Sequence, residues 1–160
     1  MTLDRLWAGW RAGYVSSGEP PPGDGCVLCR VLEEASAVVW RGERAAVVLN
    51  AYPYTSGHVM VMPVRHTSEL EDLEGAEAAE LWSAVTASVR ALKAAYRPHG
   101  LNVGANLGRS AGAGLPDHLH LHVLPRWDGD TNFMTSVAET RVLPESLDAT
   151  AERLREAWPS

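Results

Sequence analysis

The chain has 160 residues, 46% of them hydrophobic, and a formal charge of −6, which suits one soluble globular domain spanning 1–160. With only 14 Lys+Arg against 20 Asp+Glu it lacks the basic face of a duplex nucleic-acid binder, so an anionic ligand must be held locally. No apolar run reaches the ~20 residues of a membrane span, and MTLDRLWAGW lacks the unbroken apolar core of a signal peptide; a cytoplasmic location is expected.

In chain order, Leu6, Trp7, Trp10, Arg11 and Tyr14 share roughly one helical face, so a short helical arm is expected despite two interrupting glycines. The stretch SSGEPPPGDG at 16–25 reads as a connector, which separates an arm and connector (1–25) from a core (26–134) and a C-terminal extension (135–160). Val38–Arg41 and Ala45–Asn50, split by the Gly42-Glu43 turn signal, and Gly57–Pro63 read as antiparallel strands. Ala76–Tyr96 carries Ala78, Leu81, Trp82, Val85, Val89, Leu92 and Tyr96 at helical spacing and stops at Pro98 and Gly100, which predicts a long helix with Trp82 in the core. Leu101–Asn106 and His118–Leu124 are further strands, and Leu147–Trp158 is a last helix with Trp158 packed inside. Strands outnumber helices and connections are short, so the fold class is α+β: an antiparallel sheet of about five strands with one long helix and a C-terminal helix.

The chemistry concentrates in DHLHLHV, 117–123, which holds three of the six histidines at alternate positions. On a strand, His118, His120 and His122 share one face about 6.5–7 Å apart, while Leu119, Leu121 and Val123 face the core; Pro116 and Pro125 leave too few residues between them for a helix. Three readings stand at this point. The face is a histidine-rich solvent surface, or a three-histidine zinc site, or the seat of a histidine nucleophile that attacks phosphorus. In-line imidazoles do not converge on one ion, which weakens the second. The adjoining GRSAGAG offers backbone N–H groups to phosphoryl oxygens where Gly108, Gly112 and Gly114 permit close approach around Ser110, which favours the third. Cys26 and Cys29 form a C-x-x-C pair; in a chain with no other cysteine this excludes a four-cysteine zinc ribbon and leaves Cys2His2 zinc or free thiols.

H-L-H-L-H-V-L resembles the signature of the histidine triad (HIT) superfamily, histidines alternating with apolar residues, at every position. The likeness extends to LWAGWRAGY, where Gly9 replaces the usual proline, to CVLC, to GHVMVMPVRH, and to the block Asn102–Met134, so it covers nearly the whole chain. The resemblance implies a homodimer that binds nucleotides and cleaves at the α-phosphorus through a nucleotidyl-histidine. His120 would be the nucleophile, His122 the group at the phosphate and leaving group, and His118 the support behind them. Asn50 would contact ribose, although it also reads as an asparagine ending a strand before the Tyr52-Pro53 turn. Asn106 would contact phosphate or ribose. Zinc-bearing members imply a Cys26, Cys29, His66 and His118 ligand set, and structural zinc is favoured over free thiols because all four positions are filled.

The expected substrate is an adenine dinucleoside polyphosphate, diadenosine tetraphosphate foremost, and sequence does not separate a hydrolase from a phosphorylase. A phosphoramidate hydrolase and a non-catalytic, zinc-stabilised nucleotide-binding module are the alternatives. His58 is expected to be a hydrogen-bonded structural histidine and His99 a turn residue. Trp127 reads equally as site-lining or packing, and Leu49 as part of an aliphatic base pocket.

Overall fold

The computed structural model describes residues 25–130 and 145–159. The expected arm, with Trp7, Trp10 and Gly9, nearly all of the connector, and residues 131–144 lie outside the described residues. Five strands, β1 (Val38–Arg41), β2 (Ala45–Leu49), β3 (Val59–Pro63), β4 (Gly100–Ala105) and β5 (Leu121–Arg126), make one sheet in the order β1-β2-β3-β5-β4, antiparallel at every pairing. Helices α1 (Val27–Glu34), α2 (Gly75–Tyr96) and α3 (Leu147–Glu156) cover it, which is the expected α+β architecture.

Side-chain alternation divides the sheet into two working faces. Ala45, Val47, Leu49, Val59, Val61, Leu121 and Val123 pack against α2 and α3 through Leu81, Val85, Leu92, Ala151 and Leu154. Ala46, Val48, Met60 and Met62 pack on the other face against Leu28 and Leu32 of α1. Covered on both sides, β2 and β3 are buried throughout, which is why AAVVL and VMVMP read as continuous apolar runs. Leu49 belongs to this core rather than to an open pocket.

Helix α1 was not foreseen. Its signal is the i, i+3, i+4 spacing of Leu28, Val31 and Leu32, compressed into eight residues that end at Ala35 in the left-handed region (φ 59°). Helix α2 starts at a capping box in which Glu74 and Glu77 satisfy each other's backbone N–H groups, and it ends at Arg97 (φ 47°) just before Pro98. Its buried stripe runs through Leu81, Ala84, Val85, Ser88, Ala91 and Leu92. Trp82 is therefore not a core residue: it sits about 100° round the helix from Leu81, is 60% exposed, and lines an open groove with Trp40 and Trp158. Trp158 stacks on Trp40 with ring centres 5.8 Å apart, so its packed role holds.

Two carboxylates pin α2 to the sheet. Glu80 accepts from the backbone N–H groups of Arg44 and Ala45 in the β1–β2 turn (2.9 and 3.1 Å). Buried Glu77 accepts from Arg65 Nε and Nη2 (2.8 and 2.7 Å) and from Glu74 N–H, a charge-assisted fork that fixes the passage from β3 into α2. These partners hold its carboxyl down at about 2, below the ordinary 4.5. The depressed value stabilises the fold fully above pH 4.5 and is lost as pH falls toward 2. Glu77→Gln should lower the urea midpoint at pH 7 and flatten its decline between pH 4.5 and 2, as measured by unfolding curves across that range.

The last strand differs from its expected span: it runs Leu121–Arg126, and His118–His120 form a non-strand lead-in that begins at a bend and is held by the bond from Leu119 N–H to Thr67 O (2.6 Å). Pro125 lies inside the strand instead of ending it. There β5 has passed the end of β3 and pairs only with β4, so the missing N–H costs no ladder bond with β3.

Candidate active site and metal centre

His122 falls on the sheet face that α1 covers, because it pairs with Met60 while Leu121 and Val123 point to the opposite core, and His118 meets the cysteines at the N-terminal end of α1. That face is not the open surface the alternation suggested. His118 (1% exposed) and His120 (6%) are buried, His118 against the cysteines at the α1 end, and His122 is half-buried. On its other flank His122 is paired with Gly104 of β4, where an added Cβ would meet nothing within 4 Å. The line of histidines thus runs from a covered end to an open one.

Backbone partners decide the tautomer of each ring, since a carbonyl only accepts and an N–H only donates. His118 Nε2–H donates to Pro63 O (2.9 Å), so its Nδ1 lone pair faces outward to Cys26 Sγ (3.4 Å) and Cys29 Sγ (3.6 Å). His120 Nδ1–H donates to His118 O (2.8 Å), which leaves the Nε2 lone pair available. His58 Nδ1 accepts from Tyr54 N–H (3.1 Å), so its Nε2–H donates to His122 Nδ1 (3.0 Å) and His122 carries its proton on Nε2. A lone pair on His120 and an N–H on His122 therefore stand on rings whose centres are 5.0 Å apart. Burial, with the nearby His120, pushes the His122 imidazole down to about 4, and burial lowers His118 as well.

Cys26, Cys29, His66 and His118 place one donor atom each within 4.8 Å of one another. Two sulfurs and two imidazole nitrogens gathered this closely suit a metal ion, and the His118 tautomer already presents its lone pair to the cysteine sulfurs. Cys29 Sγ lies 3.6 Å from His66 Nδ1, and burial beside Cys26 pushes the Cys29 thiol up to about 11 when no cation is there to favour the thiolate. All four expected ligands are together.

The remaining expected residues meet less directly. Asn50 Oδ1 accepts from Tyr52 N–H (2.9 Å), an Asx turn, and its Nδ2 leans on the His58 ring at 3.4 Å. In the glycine loop, Gly108 (φ 78°) and Gly112 (φ 94°) flank a single 3-10 turn, Arg109–Ala111, that exposes Ser110. Gly114 is exposed but is not among the residues of positive φ. Asn106 Nδ2 reaches Gly112 O at 3.4 Å and so braces the loop. Trp127 packs edge-on to Tyr96 (6.4 Å), and His99 closes its turn against Asp128 at 3.0 Å. His58 is hydrogen-bonded as expected; its pairing with His122 was not legible.

Fold and site define an α+β domain with a histidine line that joins a Cys2His2 cluster to an open end. The chain belongs to the HIT domain family, whose model matches residues 31–129. It is 42% identical over 165 aligned positions, 98% of this chain and 85% of the relative, to a Mycobacterium tuberculosis protein named AP-4-A phosphorylase. Two of the solved structures that share the fold are similar over most of the chain. A hypothetical histidine triad nucleotide-binding protein of Sulfolobus tokodaii is 29% identical with TM-score 0.69, covering 82% of this chain and 91% of its own. A zinc-bound histidine triad protein of Mycobacterium smegmatis is 28% identical with TM-score 0.68, covering 83% and 92%.

Gly57 sets the entry of His58. Its φ of +83° is left-handed, and a Cβ there would meet Leu92 Cδ2 at 2.9 Å and Tyr96 Cε2 at 3.1 Å. Gly57→Ala should cost about 1–3 kcal/mol by urea unfolding, since neither backbone nor neighbours can yield freely.

Proposed function

We propose that the protein cleaves dinucleoside polyphosphates, diadenosine tetraphosphate foremost, at the α-phosphorus through a nucleotidyl-His120 intermediate. The observation that carries this reading is the tautomer pattern: a buried imidazole with its Nε2 lone pair free beside a second imidazole with its Nε2–H free. The 42% identity to the mycobacterial protein named AP-4-A phosphorylase supports the substrate class.

In the first step His120 Nε2 attacks the α-phosphorus. A P–N bond forms, the P–O bond to the nucleoside polyphosphate breaks, and His122 Nε2–H donates to the departing oxygen. The nucleotide departs as its anion while His122, already neutral, keeps its proton and stabilises the departing oxygen by the hydrogen bond alone. In the second step an acceptor oxygen attacks the same phosphorus, the P–N electron pair returns to His120, and any proton on the acceptor passes to solvent. Water as acceptor gives hydrolysis; inorganic phosphate gives phosphorolysis. Exposed backbone around Ser110, between Gly108 and Gly112 and on to Gly114, is assigned to the phosphoryl oxygens, and Asn106 to holding that loop beside them. Asn50 is assigned to ribose through its Nδ2, with its Oδ1 occupied by the turn.

The metal assigned to Cys26, Cys29, His66 and His118 is zinc, which the donor set favours. Bound there, zinc supplies structural rigidity: it clamps the ring whose own carbonyl orients His120. The chain is read as one HIT domain of residues 1–160, acting as a cytoplasmic homodimer. No helix among the described residues is long and apolar enough to cross a membrane. The exposed edge of β4, with Val103 44% exposed, supports pairing with a second copy.

His120→Ala should abolish turnover, a loss of at least about 10³-fold, while nucleotide binding stays measurable; undiminished cleavage refutes the mechanism. Product analysis with and without inorganic phosphate separates the acceptors: ATP plus ADP marks phosphorolysis, ATP plus AMP hydrolysis. Protein purified without chelator should contain near-stoichiometric zinc, and metal analysis that finds none rules out the zinc assignment.

A further inference from the structure

The loop between β2 and β3 holds Tyr54 at the open end of the histidine line, and the reaction scheme gives it no part. Its position is fixed from several sides. The Asn50 Asx turn precedes it, the bond from His58 N–H to Thr55 O (3.2 Å) follows it, and Thr55 Oγ1 donates to Pro125 O (3.0 Å) on β5. Its ring centre lies 4.8 Å from that of His58 and 6.3 Å from that of His122, stacked on the latter at 28°. The side chain is 41% exposed, so it spans the boundary between the two imidazoles and solvent.

We propose that Tyr54 is a positioning residue for His122: its backbone N–H fixes the His58 tautomer, and its ring roofs the His58–His122 pair, keeping His122 neutral with a single donor nitrogen. The proposal rests on the assignment of His122 as the donor to the leaving group. A protonated His122 would turn its Nδ1–H toward the Nε2–H of His58, so the bond between them survives only while His122 is neutral. Water at this edge would hydrate and so favour the charged form. The titratable groups facing His122 are His120 from its own segment, His58 from the approach to β3, and Tyr54 from the loop; β4 opposes it with Gly104. The ring stacked at 6.3 Å is the cover that the proposal assigns to the solvent side of His122.

Nitrogen-15 NMR of histidine-labelled, full-length protein titrated between pH 3.5 and 8 tests this without any substrate, so a failure of the proposed reaction leaves the result readable. In the parent and in Tyr54→Phe, His122 should stay neutral and Nε2-protonated down to about pH 5. In Tyr54→Ala, which keeps the backbone donor, its midpoint should rise by about one unit or more. The acid limb of kcat should move up with it, because activity is lost as pH falls through that midpoint. Tyr54→Leu, which restores apolar cover, should lie between the two. An unchanged His122 midpoint in Tyr54→Ala overturns the proposal, and so does a Tyr54→Phe midpoint shifted as far as that of Tyr54→Ala, which would place the effect in the hydroxyl.

Discussion

The hydrogen bond from His120 Nδ1–H to the carbonyl of His118 is the contact on which the rest of the site depends. One residue is held at both ends: its ring lies between Pro63 O and the two cysteine sulfurs, and its backbone oxygen aims the imidazole two residues on, that of His120. Because the ring and the carbonyl belong to a single buried residue, anything that steadies the Cys2His2 cluster also steadies the direction of His120. The bond from Leu119 N–H to Thr67 O fixes the backbone between them.

Around this contact the sheet divides the work. The face against α2 and α3 carries the aliphatic burial, and alternation along β5 then places His122 opposite. Helix α1 makes that second face a half-closed compartment, and its N-terminal end brings both cysteines to His118. Polar side chains in such a compartment need partners, and here backbone groups supply most of them. The rings are consequently locked into tautomers before any ligand arrives, a form of preorganisation.

Much of this is legible in the sequence because it depends on periodicity. The alternation of Leu121, His122 and Val123, the helical stripe of α2 and the apolar density of β2 and β3 each follow from one element's geometry, whereas His118 and His120 precede the strand and are placed by backbone partners instead. What escaped depends on partners remote in the chain. Helix α1 is too short for its period to stand out beside a proline-rich connector. Trp82 shares the composition of a core residue yet sits one step off the packing stripe. The His58–His122 pair joins residues 64 positions apart, and its tautomer is written in the backbone N–H of Tyr54. The cysteine and histidine ligands were found through family likeness; their convergence is a matter of tertiary structure.

Gly104 gives the arrangement its direction. Because the residue cross-strand from His122 has no side chain, the sheet face carries a notch beside the last histidine, between the bulk of Met60 and the open backbone of β4. Under the proposed reaction, such a notch leaves room for a polyanion beside the buried imidazole, with its remainder directed out over the sheet edge. The space is made by an omission, so any side chain at position 104 would stand over the open flank of His122 and narrow the room beside it.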